Sequence, residues 1–591
     1  MCGIAGYYKF KEDFQDTGLL KALEKLHARG PDAQGLYITD SVGLAHKRLK
    51  IFDLSDKAAQ PMVDKELGIV LVFNGEIYNF LELRKELEAK SYNFYSNSDS
   101  EVLIKAYHAW NLDFIHRIEG MFAFAIYEIQ SGNLILGRDR LGIKPLYYAY
   151  SPKGFQFAST LPALLKFKEI NTALDEIALH YYFTFHAIPE PHTLLKGAKK
   201  LEPGILMLIS KSGTLKKIPY WTLDQNNKKN DFEEEDWVQA TRVALDSAIQ
   251  RQLKADVPIG VLLSGGLDSS ILVALAAQNN DFPLETFSIG FETINNNSGD
   301  EFTYSDLIAK QFRTKHHQIN ISNDHLEEAL THCVDAMSEP MTSHDNIGFY
   351  LLSKEVSKYV KVVLSGQGAD ELFAGYHWFQ NLNQLSPSYR HSSQCILECI
   401  ADNSYSEYCQ LIHSEYQTTN YAHEYLFDLF KKHESLNLLD NMLVYESGFA
   451  LSSGPLSRVD NMTMASSLEA RVPFLDELVV SVASSMPNDF KIKHDGKFIL
   501  KQLGRALLPE SIINRPKGYF PVPALQHTHG PMHHFMKEIL NEEAIRSRGI
   551  YKLDAVQKLL NKEQSCITAT GGSKLWQIAL LEYWLQRHLN Q

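Results

Sequence analysis

Apolar positions along the chain fall into two regimes that meet near residue 220. Over residues 1 to about 210, short apolar runs alternate with amphipathic ones. "GIVLVFNGEIYNF" (68–80) reads as a strand entering a turn, "LELRKELEAK" (81–90) and "SEVLIKAYHAW" (100–110) as amphipathic helices, and "MFAFAIYEIQSGNLILGRDR" (121–140) as a hairpin turning at Ser131–Gly132. Strands, hairpins and helices mixed in this way predict a layered sheet-and-helix α+β domain over 2–210. The pattern then fails in "WTLDQNNKKNDFEEED" (221–236), which places a linker at 211–236 and a second domain at 237–591.

The second domain opens with a helical pattern from Trp237 to about Leu253. "VPIGVLLSGGLDSSILVALAAQ" (257–278) then reads as an apolar strand, a Gly-rich turn and an apolar helix. Strand-like runs recur at "LETFSIGF" and "VKVVLSGQGADELF", separated by helical stretches such as Tyr304–Phe312 and Gly348–Tyr359. Alternation of this kind predicts an α/β, doubly wound parallel sheet covered on both faces. From about Trp378 onward the pattern is mostly helical.

Composition narrows the function classes. A formal net charge of -13 over 591 residues argues against nucleic acid or an anionic membrane as partner, since both need a basic footprint. Six cysteines in so long a chain are too sparse for a disulfide framework and fit a reducing cytosol. Cys395 and Cys399 could share a helix face as zinc ligands, but nothing nearby completes a set, and packing is the preferred reading. Lys9, Lys11, Glu12 and Asp13 interrupt any N-terminal apolar region, and no apolar run reaches a membrane span. A cytoplasmic location is expected.

The turn "LSGGLDSS" (263–270) stands where an open parallel sheet places its ligand crevice. Glycines there let backbone N–H groups approach an anion, and Ser264, Ser269 and Ser270 add hydroxyl donors. A turn that needs glycine only for geometry is the alternative. It is not a Walker A loop, for the lysine is missing; such a loop suits a pyrophosphate with chemistry at the α-phosphate. A second turn, "LSGQGADELF" (364–373), adds Asp370 and Glu371, and paired carboxylates beside a phosphate loop commonly serve Mg²⁺.

"SGGLDSS" resembles the loop of the pyrophosphate-loop ATP pyrophosphatases. With "MCGIAG", "RGPD", "FNGEIYN", "GMFAFAI" and "RDRLGIKPLYY" in order along nearly the whole chain, the sequence resembles the glutamine-dependent asparagine synthetase family. The resemblance implies an N-terminal αββα sandwich of the N-terminal-nucleophile type, in which Cys2 attacks the side-chain amide of glutamine and releases ammonia. With Met1 removed, the Cys2 α-amine, with a reference pKa of roughly 8, suits the role of base. The implied glutamine pocket comprises Arg48, which can fork onto a carboxylate, Asn74, Gly75, Glu76, and Asp99, which can pair with an ammonium. Asn74 and Gly75 would form the oxyanion hole.

In the second half the resemblance implies that Leu262, Ser264, Gly265, Gly266, Leu267, Asp268, Ser269, Ile289, Ser365 and Gly366 contact ATP. Asp268 and Asp370 would stand near Mg²⁺, and Lys497 would stabilise charge developing on the phosphate and acyl group. Ammonia would attack an acyl adenylate. Gln367 and Glu371 would flank the acceptor, and here the chain departs from the pattern: short bacterial asparagine synthetases commonly read SGEGSDE where this chain reads "SGQGADE". The neutral amide removes a charge and a base while keeping hydrogen bonds. "YYFTFHAIPEP", "RPKGYFPVPAL" and "LWQIALLEYWLQ" resemble the N-acetylglutaminylglutamine amidotransferase branch, which makes an osmoprotectant amide; L-aspartate is the alternative acceptor. A homodimer is implied by analogy alone. A stand-alone glutaminase and a non-catalytic nucleotide-binding module remain the competing functions.

Overall fold

The structure is a computed structural model that describes residues 2–14, 18–223, 228–229, 231–279, 283–292, 300–322, 326–382, 389–433, 436–515, 531–561, 567–568 and 572–589. Met1, Cys566, part of the 211–236 linker and most of "RPKGYFPVPAL" lie outside the described residues.

The first half holds β1 (Gly3–Lys9), β2 (Ala33–Ile38), β3 (Val42–Arg48), β4 (Met62–Asp64), β5 (Ile69–Ile77), β6 (Gly120–Glu128), β7 (Leu134–Arg138), β8 (Tyr147–Ser151), β9 (Gly154–Ala158), β10 (Lys199–Lys200), β11 (Ile205–Ile209) and β12 (Leu215–Pro219). They form two antiparallel six-stranded sheets, ordered β10-β8-β9-β1-β3-β2 and β12-β11-β7-β6-β5-β4. Side chains of β1 show why the sheets stack. Ile4 and Tyr8 point into a core shared with Val70, Val72, Ala123 and Ala125 of the other sheet, while Ala5 and Tyr7 pack outward on the helices Leu19–Lys25 and Leu161–Leu164. A strand buried on both faces reads as continuously apolar. Helices Phe80–Ala89 and Asp99–Trp110 cover the outer face of the second sheet, which completes the αββα order. This second sheet runs to Pro219, past residue 210, because Leu215–Pro219 pairs with Ile205–Ile209 as its edge strand.

The second half is built on β13 (Ile259–Leu262), β14 (Glu285–Phe291), β15 (Lys315–Ile321), β16 (Val362–Leu364) and β17 (Glu469–Arg471), all parallel, in the order β15-β14-β13-β16-β17. The order reverses direction between β13 and β16, so the crevice of the sheet opens at the carboxyl ends of those two strands. Beyond Phe373 the described chain is helical apart from β17, a strand with no apolar run to announce it.

The halves are packed into each other. One apolar cluster runs from Ala5 and Tyr7 through Leu179 and Phe183 to Leu581 and Trp584, and Tyr182 Oη donates to the Gln577 carbonyl at 2.7 Å. Among the described residues no helix is long and apolar enough to cross a membrane.

Candidate active sites

Cys2 directly precedes β1 and is buried against the facing sheet. Its backbone N–H donates to Asn74 Oδ1 at 2.9 Å, and its Sγ lies 4.0 Å from the Leu49 carbonyl. With Oδ1 engaged, the Asn74 amide must present Nδ2 on its other side. That Nδ2 is buried and has no partner among the described residues. A buried orphan donor is costly to leave unmade, and here it sits on the side chain that holds the Cys2 N–H. Gly75 is obligatory: a Cβ would lie 2.1 Å from the Met121 carbonyl oxygen. Neighbouring Glu76 is buried, and its pKa is pushed well up by burial, then by the charges of Glu469 and Asp99, against the pull of Arg471.

Asp99 begins the helix Asp99–Trp110, whose N-cap Ser98 accepts from the Glu101 N–H. Asp99 Oδ2 accepts from the Ile77 N–H at 3.1 Å, which ties the helix start to the end of β5. Burial raises its pKa to about 6 despite backbone hydrogen bonds from Ile77 and Ser100. Arg48 ends β3 and is largely spent on structure, for it donates to the carbonyls of Ser55 at 2.8 Å, Phe52 at 3.1 Å and Asp53 at 2.5 Å. Three of the five guanidinium N–H groups thus shape the loop beside Cys2, a role the sequence reading did not assign. Burial pushes the Cys2 thiol above its ordinary value, so the resting group is a thiol that needs a base.

The second candidate site lies at the reversal of the parallel sheet. After β13, Gly265 adopts a φ of +73° with Tyr304 and Ser305 so close that a Cβ would stand 2.6 Å from Tyr304 Cβ. Ser264 Oγ and Ser269 Oγ lie 3.1 Å apart across the turn, and the Gly266 N–H donates to Ser264 Oγ at 3.3 Å. Leu267–Gln278 follows as a helix whose N-terminus has no side-chain cap, and such a terminus favours an anion. The second turn, after β16, touches the first: a Cβ on Gly366 would be 3.3 Å from Asp268 Cβ. Leu262 ends β13, Ser365 directly follows β16, and Ile289 is half-buried on β14.

Lys497 crosses both turns. Its Nζ lies 2.5 Å from Asp268 Oδ2 and 2.8 Å from Asp370 Oδ1. Burial lowers its pKa, but the two carboxylates outweigh that and hold the ammonium above its usual range. The turn that delivers it is unusual, with His494, Asp495, Gly496 and Lys497 all left-handed at φ +49°, +66°, +82° and +51°; three of these carry side chains that pay for that conformation. Gln367 is half-buried beside Gly368, while Glu371 is buried and accepts from Tyr376 Oη at 2.7 Å. Tyr376 stacks on Trp378 at 4.5 Å, and Trp378 Nε1 donates to Glu446 at 2.9 Å.

Comparison with known proteins fits both halves. The glutamine amidotransferase domain matches residues 1–221 and asparagine synthase matches residues 240–586. The chain belongs to the asparagine synthase family. Asparagine synthetase [glutamine-hydrolyzing] 1 of Bacillus subtilis (strain 168) is 32% identical over 99% of this chain and 96% of its own length. Asparagine synthetase [glutamine-hydrolyzing] 3 of the same organism is 32% identical over 88% and 87%. Amidase chyE of Penicillium rubens is 26% identical over 92% and 90%. As a member of the asparagine synthase family, the chain is a glutamine-dependent carbon–nitrogen ligase.

Between the two sites of this family member lies a buried charge cluster that sequence reasoning missed. Arg29 Nε donates to the Cys2 carbonyl at 3.1 Å, and its two Nη groups grip Asp460 of the second half at 2.7 and 3.2 Å. Lys144 lies 3.8 Å from the same carboxylate. Beside them, Arg471 Nε pairs with Glu469 at 2.7 Å and Nη2 lies 3.8 Å from Glu76 Oε1. The Arg471 carbonyl in turn accepts from the Ser365 N–H at 2.8 Å. "RDRLGIKP" and "RVDNMTMA" were the available signals: each puts charge among apolar residues, yet neither says that the charges converge.

Proposed function

We propose that the chain hydrolyses glutamine at Cys2 and uses the ammonia to amidate a small carboxylate activated as an acyl adenylate. The buried, partnerless Asn74 Nδ2 beside Cys2 is the observation that carries this reading. Once Met1 is lost, the Cys2 α-amine takes the Sγ proton, and Sγ attacks the amide carbon of glutamine. Asn74 Nδ2 and the Gly75 N–H receive the developing oxyanion, Asp99 pairs with the substrate ammonium, and Arg48, with donors left over from the 52–55 loop, faces its carboxylate. Collapse of the tetrahedral intermediate breaks the C–N bond, the amine proton leaves with ammonia, and water hydrolyses the thioester.

In the second site the paired turns Leu262–Ser269 and Ser365–Gly366 suit ATP, with Ile289 against the base. The acceptor carboxylate attacks the α-phosphorus, pyrophosphate leaves, and ammonia then displaces AMP from the acyl carbon. Lys497 supplies positive charge to the phosphate and acyl oxygens. Asp268 and Asp370 fit Mg²⁺, which usually takes one or two protein carboxylates and completes its shell with phosphates and water; bound there, it would offset charge on the departing pyrophosphate. Among the described residues no set of three or more His, Cys, Asp or Glu side chains forms a larger cage.

For the acceptor, we favour N-acetylglutaminylglutamine. The reading rests on the sequence resemblance and on neutral Gln367 in the acceptor turn. L-Aspartate is the second reading, supported by the names of the Bacillus subtilis relatives. Pyrophosphate release with each acceptor, driven by glutamine or by free ammonia, tests the choice: faster turnover on aspartate than on the acylated dipeptide overturns the first reading.

A further inference from the structure

The backbone of Cys2 is held by two side chains. β1 pairs with β3 from Gly3 onward, and one residue earlier the Cys2 N–H donates to Asn74 while the Cys2 carbonyl accepts from Arg29 Nε at 3.1 Å. Asn74 belongs to the first half, but Arg29 is itself gripped by the second. Its Nη1 and Nη2 donate to Asp460 Oδ2 and Oδ1 at 2.7 and 3.2 Å, a two-point contact that fixes the guanidinium plane as well as its position. Both residues are buried.

Asp460 is rigidly placed. It lies on the helix Ser457–Met464, whose Arg458 reaches Asp345 at 3.2 Å and whose Asn461 Oδ1 accepts from the Ser338 N–H and Oγ at 3.0 and 2.8 Å. Val459 and Met462 of the same helix join the apolar cluster that runs through both halves. Lys144 of the first half stands 3.8 Å from the Asp460 carboxylate; burial lowers the Lys144 pKa, and Asp460 leads the charges that oppose it.

Stability alone does not account for so buried a pair. Desolvating two charges offsets much of what their attraction returns, and apolar residues of similar volume commonly serve as well. An apolar pair could not aim Arg29 Nε at the Cys2 carbonyl. We propose that Asp460, a residue of the second half, is a positioning residue for glutamine hydrolysis: through Arg29 it sets the backbone of Cys2, and with it the placement of Sγ and the α-amine. The inference rests on the reading of Cys2 as the nucleophile. Arg48 and Asp99, which face the charged groups of glutamine in that reading, lie outside this chain of bonds, so loss of Asp460 acts on kcat rather than on KM.

Glutamine hydrolysis and ammonia-driven pyrophosphate release by the full chain test the role in Asp460→Asn, Arg29→Met, the double variant Arg29→Met/Asp460→Leu, and Ser467→Gly. Ser467 Oγ donates to the Ala28 carbonyl at 2.6 Å, so Ser467→Gly breaks a contact between the halves one residue from Arg29 and leaves the fork intact. Misplacement by about 1 Å can cost on the order of a hundredfold. Asp460→Asn is therefore expected to lower kcat for glutamine by about tenfold to a hundredfold, with KM changed by less than about twofold and ammonia-driven release near the parent rate. The double variant replaces the buried pair by apolar side chains; it is expected to keep ammonia-driven release and to lose no more glutamine turnover than Arg29→Met alone. Ser467→Gly is expected to keep the parent kcat.

Unchanged kcat in Asp460→Asn, a loss confined to KM, an equal loss of ammonia-driven release in both Asp460 variants, a further loss on adding Asp460→Leu to Arg29→Met, or the same drop in Ser467→Gly overturns the proposal. Cys2→Ala, assayed alongside, separates the two claims. Glutamine turnover that survives Cys2→Ala defeats the reading of the nucleophile and this inference with it, whereas turnover silenced by Cys2→Ala but indifferent to Asp460→Asn defeats this inference alone.

Discussion

The two candidate sites respond to burial in opposite ways. Around Cys2, burial drives groups toward their uncharged forms: the thiol and Glu76 are pushed up, and Asp99 rises to about 6. Around Lys497, burial is overridden by two carboxylates, and the charges persist as a triad. The difference matches the ligands proposed for them. A neutral amide is met by a thiol that gives up its proton to a base as it attacks and by one well-placed donor, whereas a polyphosphate asks for a cation whose counter-ions can be redirected toward a metal.

The sharpest way to break that comparison is to disable each half separately. Cys2→Ala removes glutamine-driven turnover by at least about a thousandfold and leaves ammonia-driven turnover near the parent rate. Lys497→Met does the reverse to chemistry, cutting pyrophosphate release with either nitrogen source by on the order of a hundredfold or more while glutamine hydrolysis continues. Equal loss of both activities in the Cys2 variant, with its fold intact, would refute two separable sites.

A smaller effect sharpens the first half. Asn74→Ala deletes the orphan donor and should lower the rate of glutamine hydrolysis by about a hundredfold to a thousandfold, mostly in kcat. A loss confined to KM would mean that Nδ2 serves binding rather than the oxyanion. Because Asn74 also holds the Cys2 N–H, the melting temperature of the variant is measured alongside.

The gentlest probe is pH. The ammonium of glutamine favours ionised Asp99, so binding is present above the raised pKa and is lost as pH falls through about 6. One proton should weaken the apparent affinity by about tenfold per pH unit below that point. Asp99→Asn should be uniformly weak and flat over the same range. A KM for glutamine in the parent that stays constant down to pH 5 contradicts the pairing.

Legibility followed local pattern. The 121–140 hairpin, the helix beginning at Asp99 and the turn after β13 all announce themselves because period, capping and glycine chemistry act within a few residues. β17 did not, since Glu469-Ala470-Arg471 is short and charged; it becomes a strand because β16 offers it a ladder, while Glu469 and Arg471 pair with each other and Arg471 faces Glu76 of the first half. The sequence pattern ends the first domain at residue 210, yet polar "LKKIP" closes the second sheet as an exposed edge, where apolar alternation is not required.

Arg48 shows the same limit at the level of one side chain. Its placement near Cys2 follows from the family pattern, but its bonds to three loop carbonyls are visible only once residues 52–55 fold back over it.

By itself the sequence determined the two-part architecture and the family, and it singled out Cys2 and the two glycine turns as candidates, because each rests on contiguous residues whose chemistry is local. Tertiary structure alone decided that Asn74 spends Oδ1 on Cys2 and keeps Nδ2 unpaired, that Lys497 reaches Asp268 across 229 residues, and that Arg29 meets Asp460 across 431. Such contacts join groups far apart along the chain, and only packing the two halves together brings them within hydrogen-bonding distance.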